Sequence, residues 1–186
     1  MGPRIAAGFA TSVIVTDVST PLEGEFRPHF FGGVATVVAK LLLQCLPDAA
    51  FFGEKDYQQL LVIRRLAHDL DIPVEIVGCE TVREPDGLAM SSRNAYLSSD
   101  ERAKAPVLHR ALRAGQEAIA HGIQSVADVE KLMHRVVEEE GRVELDYLNV
   151  IDPATLLAPV DFDRDLLIAG AVRIGRTRLI DNVRIA

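Results

Sequence analysis

The sequence predicts an α/β fold: a parallel sheet in the first part of the chain, then a smaller α+β portion. Three observations predict it. Residues 49–77 read as a short apolar strand, a helix with one apolar stripe and a second strand, joined by short turns, which is the pattern of a right-handed parallel βαβ unit. After Cys79 the composition turns polar, and helices with capping-box starts follow. The end of the chain reads as strands, with a tight hairpin around Gly175.

Taken in order, residues 11–18 (TSVIVTDV) are rich in β-branched side chains and are expected to form a strand. Residues 19–33 carry Pro21, Gly24, Pro28, Gly32 and Gly33 and read as turns. Val34, Val37, Val38, Leu41, Leu42 and Cys45 recur at helical spacing, so a helix is expected over residues 34–46 with these as its buried stripe, stopped by Pro47 and Asp48. Residues 49–52 form the first parallel strand, and Gly53 breaks it. A helix from near Asp56 to about Leu70 buries Leu60, Ile63, Leu66 and Ala67, and residues 73–77 form the second strand.

The polar residues 81–94 read as a linker or functional loop. Ser98 with Glu101 starts a helix expected to reach His121 and end at Gly122. Ser125 with Asp128 starts another, to Glu140, ended by Gly141. Strands are expected at residues 143–150, 166–174 and 177–185. The domain boundary is placed between residues 1–82 and 83–186.

A chain of 186 residues with 48% hydrophobic and 25% charged residues can bury a sizeable core and is not of the disordered class. A net charge of −7 argues against a nucleic-acid binder, which needs a basic face. Cys45 and Cys79 sit in apolar company and are expected to be buried, reduced thiols of a cytoplasmic protein. The histidines share no zinc-type spacing, and no metal site is expected from them. No apolar run has the length of a membrane span, and residues 1–10 lack the features of a signal peptide, so no membrane partner is expected.

Three segments carry groups suited to chemistry. In FGEKDYQQ, residues 52–59, a strand ends and a helix begins. The free N–H groups of a helix start suit phosphate, Lys55 adds an ammonium, and Gly53 admits close approach. Asp56 and Gln59 also have the spacing of an N-cap and its reciprocal partner, which would leave Lys55 an ordinary surface lysine. In DGLAMSSRN, residues 86–94, hydroxyls, a guanidinium and an amide could grip a phosphate, or could simply make a polar turn. In RPHFFGGV, residues 27–34, Arg27 and His29 precede a helix, and the local reading is a helix entry with aromatic packing. Asp161, Asp163 and Asp165 alternate without the glycine and closing glutamate of a calcium loop, and read as a surface turn.

Together these segments resemble the pantoate–β-alanine ligases. The resemblance rests on Leu22-Glu23-Gly24 with Arg27-Pro28, FGEKDYQQL at residues 52–60, REPDGLAMSSRN at residues 83–94 with Tyr96-Leu97, and TRLIDN at residues 177–182. It implies that residues 1–82 are the later part of a Rossmann-like nucleotidyltransferase domain and residues 83–186 a smaller lid domain of helices and antiparallel sheet. It further implies activation of pantoate by ATP with Mg2+ to a pantoyl-adenylate, attack by β-alanine, and a homodimer. By residue, Lys55 would steady the phosphates, with Glu54 beside it. Gly53 and Asp56 would hold the ribose, Gln59 would bind pantoate, and Val82 and Met90 would flank the adenine. Met90, Ser91, Ser92 and Arg93 would form a mobile loop gripping the same triphosphate that Lys55 serves.

Two departures bear on this. The family reads Arg-Pro-Gly-His-Phe-x-Gly-Val, whereas here His29 stands at the glycine and Phe30 at the histidine. The family's opening His-x-Gly-His, and the glutamine and asparagine that follow it, are absent from the sequence, and Met1-Gly2-Pro3 resembles an internal stretch of the family. Little or no ligase activity is therefore expected from this chain alone. The competing readings are a non-catalytic nucleotide-binding or dimerising relative, and a nucleotidyltransferase acting on another acid or a phosphate ester.

Overall fold

A computed structural model describes residues 8–185. Expectations for Met1, Gly2 and Pro3 lie outside the described residues. The chain divides into two units, Met1–Glu80 and Thr81–Ala186.

In the first unit the short helix α1 (Glu23–Phe26) precedes α2 (Phe30–Cys45), β1 (Ala49–Gly53), a 3-10 turn (Glu54–Asp56), α3 (Tyr57–Asp69) and β2 (Glu75–Cys79). The strands pair in parallel, from Ala49 opposite Glu75 to Gly53 opposite Cys79. This is the expected βαβ unit, with α3 burying Leu60, Val62, Ile63, Leu66 and Ala67. Helix α2 starts at Phe30, a turn earlier than expected, and takes Gly32 and Gly33 into its first turns. It packs on α3 through a cluster of Val15, Phe31, Ala35, Ala39, Val62 and Leu66.

Three expectations fail in this unit. The buried stripe of α2 is Phe31, Ala35, Thr36, Ala39 and Leu42 rather than the valines, Leu41 and Cys45. The helix is apolar on more than one side, so periodicity alone does not select its face, and the small Ala35 and Ala39 present the flatter surface to α3. Cys45 and Cys79 are exposed thiols. Each is the last residue of its element, α2 and β2. Residues 11–18 are not a strand. Their alternation survives: Val13 and Val15 turn toward the α2–α3 cluster while Ile14 is exposed. No described strand pairs with the segment, and the Val13 N–H donates to Thr36 Oγ1 at 2.9 Å instead. Strand propensity becomes a strand only beside a partner.

In the second unit a hairpin and a 3-10 turn (Ser92–Tyr96) precede α4 (Ser99–Lys104), α5 (Val107–Ala120) and α6 (Val126–Glu140), followed by β3 (Glu144–Ile151), β4 (Leu166–Ile174) and β5 (Thr177–Ile185). The strands form an antiparallel sheet with β4 central. One helix was expected after Ser98, but Pro106 divides it into α4 and α5. Proline offers no N–H and its ring crowds the preceding turn. At the other two starts Ser98 and Glu101 bond reciprocally as a full capping box, while at α6 only the serine half forms, Ser125 accepting from the Asp128 N–H. Helices α5 and α6 cover the sheet over a core that includes Leu112, Met133, Leu148, Ile168 and Val172. Arg173 and Arg178 face each other across β4 and β5, and Asp146, at a bulge in β3, bridges both at 3.1 and 2.6 Å. The carboxylate offsets the repulsion of two like charges in register.

Candidate functional site

The first unit carries Gly53, Glu54, Lys55, Asp56 and Gln59 where β1 runs into α3. Gly53 is extended, at φ −68°, and the next three residues coil into the 3-10 turn that opens α3. This is the carboxyl end of a parallel strand, where open α/β sheets leave helix N–H groups free. Asp56 makes no side-chain cap bond, so the N-cap arrangement considered for it is not formed. Its carboxylate lies 3.8 Å from the Lys55 ammonium, whose side chain is mostly buried. Glu54 lies over Gly78 of β2, beside Leu60 and Arg64, where a Cβ on Gly78 would crowd it.

Gln58, which the motifs alone give no separate role, organises this corner. It is 6% exposed. Its Nε2 donates to the carbonyls of Val18 at 2.9 Å and Pro21 at 2.6 Å, while its Oε1 accepts from the Glu23 N–H at 3.1 Å. The amide thereby ties Leu22-Glu23-Gly24 to the first turn of α3 and leaves Gln59 as the less buried member of the pair. The signal was present in helical spacing, since Gln58, Val62 and Leu66 share one buried face.

At the entry to α2, His29 is the exposed N-cap residue and makes no side-chain cap bond. The Arg27 guanidinium stands over the Phe30 ring at 3.7 Å, and Phe30 meets Phe31 edge-on at 5.2 Å. The local reading of a helix entry with aromatic packing is what forms here.

In the second unit the polar stretch after Cys79 is not a linker. The Glu84 N–H donates to the Leu88 carbonyl, that of Gly87 to the Glu84 carbonyl and that of Met90 to the Val82 carbonyl, with Arg83 opposite Ala89, which makes a closed hairpin. Gly87 sits at φ +90°, and a Cβ there would strike the His109 ring. Burial, and then the nearby Arg83 charge, pushes His109 below its ordinary value of 6.5. Arg102 holds Asp86 below the usual carboxylate range by a direct hydrogen bond. Leu88 and Ala89 are buried, while Val82 and Met90 lie side by side and exposed. Ser91 Oγ accepts from the Arg93 N–H at 3.2 Å and caps the 3-10 turn, leaving Ser92 and Arg93 exposed. The Asn94 amide donates back to the Ala89 carbonyl at 3.1 Å. Hydroxyl, guanidinium and two apolar side chains are thus offered outward from one anchored strip of backbone.

Among the described residues no three His, Cys, Asp or Glu side chains form a metal cluster, and no helix is long and apolar enough to cross a membrane.

Fold and motifs define a mixed α/β protein: a parallel βαβ unit with a phosphate-suited strand-to-helix turn, and a separate antiparallel sheet that carries the serine–arginine hairpin. Residues 2–184 match the family described as Pantoate-beta-alanine ligase, and the chain belongs to that family. The pantothenate synthetase of Paramagnetospirillum magneticum is 55% identical over 179 residues, covering 95% of this chain and 62% of the relative. That of Caulobacter vibrioides is 50% identical over 183 residues, covering 97% and 64%. The crystal structure of pantothenate synthetase from Thermus thermophilus superposes with a TM-score of 0.92 at 48% identity, over 95% of this chain and 64% of that one. The ligase from Francisella tularensis, complexed with β-γ ATP and β-alanine, matches with a TM-score of 0.70 at 29% identity, over 94% and 58%. The chain therefore spans somewhat under two thirds of the length of these relatives.

Proposed function

We propose that the chain serves the ATP-dependent condensation of pantoate with β-alanine. The observation that carries this reading is the family match over residues 2–184, which spans the strand-to-helix turn at Lys55 and the hairpin at Ser91–Arg93. In the first step the pantoate carboxylate attacks the α-phosphorus of ATP and pyrophosphate leaves with the bonding pair. In the second, the β-alanine amine attacks the acyl carbon, AMP departs, and the amine gives up a proton, leaving pantothenate.

Residue roles follow from charge and donor chemistry. Lys55 and Arg93 offset the charge that grows on the leaving pyrophosphate, and Ser91 and Ser92 donate to phosphate oxygens. Gly53, Glu54 and Asp56 form the turn that receives the ribose end of the nucleotide, and Val82 and Met90 give the adenine an apolar seat. Gln59 hydrogen-bonds pantoate. Arg27 and His29 lie at a helix entry suited to a further anion contact. Mg2+ enters with ATP on the phosphates, the mode in which this ion keeps most of its water ligands. No covalent enzyme intermediate is needed, so positioning and electrostatics supply the rate. The first unit, Met1–Glu80, acts as part of a Rossmann-like nucleotide-binding domain and the second, Thr81–Ala186, as its lid, in a cytoplasmic homodimer.

Calorimetric titration of the chain with Mg-ATP tests the reading. Binding is expected, and Lys55→Ala or Arg93→Ala should weaken it about tenfold or more, as loss of a charge-assisted contact does. A chain that takes up no nucleotide overturns the proposal.

A further inference from the structure

The proposed chemistry gives no task to Arg83, which opens REPDGLAMSSRN, or to Asp181 and Asn182, which close TRLIDN. The structure joins these motifs across 98 residues. The Arg83 guanidinium donates to Asp181 Oδ2 at 2.6 Å and Oδ1 at 3.0 Å, to the Gly87 carbonyl at 3.0 Å and to the Asn182 carbonyl at 3.2 Å. The Asp181 side chain is 4% exposed and that of Arg83 22%. Gly87 belongs to the turn of the hairpin from which Met90–Arg93 emerge, so one planar fork both closes that turn and fastens it to β5. On the other flank Arg102 of α4 bonds Asp86 at 2.5 Å and Glu84 at 3.2 Å, and the His109 ring of α5 lies against Gly87.

A buried ion pair contributes little net stability, because desolvation offsets most of the attraction, but its hydrogen bonds are satisfied in only one geometry. A bidentate guanidinium–carboxylate pair is the most demanding of these, and lysine cannot reproduce it. Arg83 spends its donors within the protein, which sets it apart from the exposed Arg93.

We propose that Arg83 and Asp181 are positioning residues, whose clamp between the hairpin and β5 sets the conformation in which Met90, Ser92 and Arg93 are presented to the nucleotide. The link to nucleotide rests on the function proposed above; the control of hairpin conformation does not. Hydrogen exchange on the chain, with Arg83→Lys and Asp181→Asn variants, tests it. The amides of Gly87, Met90 and Asn94, which close the hairpin and its following turn, are expected to exchange about tenfold faster or more, while those of α6 keep their protection. Unchanged exchange at those three amides overturns the proposal.

A double variant, Arg83→Met with Asp181→Leu, separates positioning from bulk stability. Replacing both partners leaves no buried charge unpaired, so the Tm lost in Arg83→Met should return, while hairpin protection should not. Recovery of both would mean that apolar packing suffices and would overturn the positioning role. Mg-ATP titration of Asp181→Asn should show weakened binding. If the unsubstituted chain binds no Mg-ATP, the functional reading fails, and the clamp still stands or falls on the exchange data.

Discussion

The two units bury their apolar side chains to different extents. In the second, β4 is buried from Leu166 to Val172, and its core joins both long helices to the sheet. In the first, a two-stranded sheet supports α3, the main cluster involves six residues, and Phe51 at 68% and Leu46 at 71% lie open. Buried apolar surface stabilises a fold by about 25 cal/mol per Å², and the second unit draws more on this term within its own residues. The lesson is that the clearest motif of the chain, FGEKDYQQL, sits on the less completely buried unit. The hairpin with the serine and arginine donors sits on the well-packed one.

Breaking the stronger unit should produce the largest effect. Leu112 is fully buried between α5 and the sheet, and Leu112→Ala should cost about 2–5 kcal/mol, as core leucine truncations do. Urea unfolding followed by hydrogen exchange checks this, with the loss of protection expected in residues 81–185 and not in the βαβ unit. A comparable loss in both units would mean that they unfold as one.

The weaker unit can be sharpened by relieving strain. Leu46 ends α2 in the left-handed region, at φ 45° and ψ 54°, and is exposed, so its side chain contributes little packing. Leu46→Gly removes the Cβ crowding of that conformation and should stabilise the first unit by up to about 1 kcal/mol. A thermal melt with exchange at α2 amides reads the gain. No gain would show that Leu46 packs in solution in spite of its exposure.

The smallest effect separates the units by pH. Burial holds the His109 pKa below 6.5 in the folded chain, so the unfolded chain takes up its proton first as pH falls. Stability of the second unit should therefore decline below about pH 6.5 and level off once the folded-state pKa is passed. His109→Phe should flatten that part of the profile in urea titrations between about pH 7.5 and 5, a range set by the unperturbed histidine value. An unaltered slope would place the titrating group elsewhere.

What the sequence by itself determined was local. The ends of β4 and β5, the hairpin at Gly175 with φ 57°, and the serine caps of α4 and α6 depend on groups a few residues apart, and they form where the sequence puts them. The family was legible for the same reason, since its motifs are contiguous runs. Pro106, which divides α4 from α5, is a local signal of the same kind. Tertiary structure decided which side of the apolar α2 is buried, whether residues 11–18 find a strand partner, and that Cys45 and Cys79 are exposed. It also decided the partners of Gln58, which lie 35 to 40 residues away, and the pairing of Arg83 with Asp181. Helical spacing places Gln58 on the buried face of α3, but it does not name the partners, which are chosen by how the elements pack and not by neighbours along the chain.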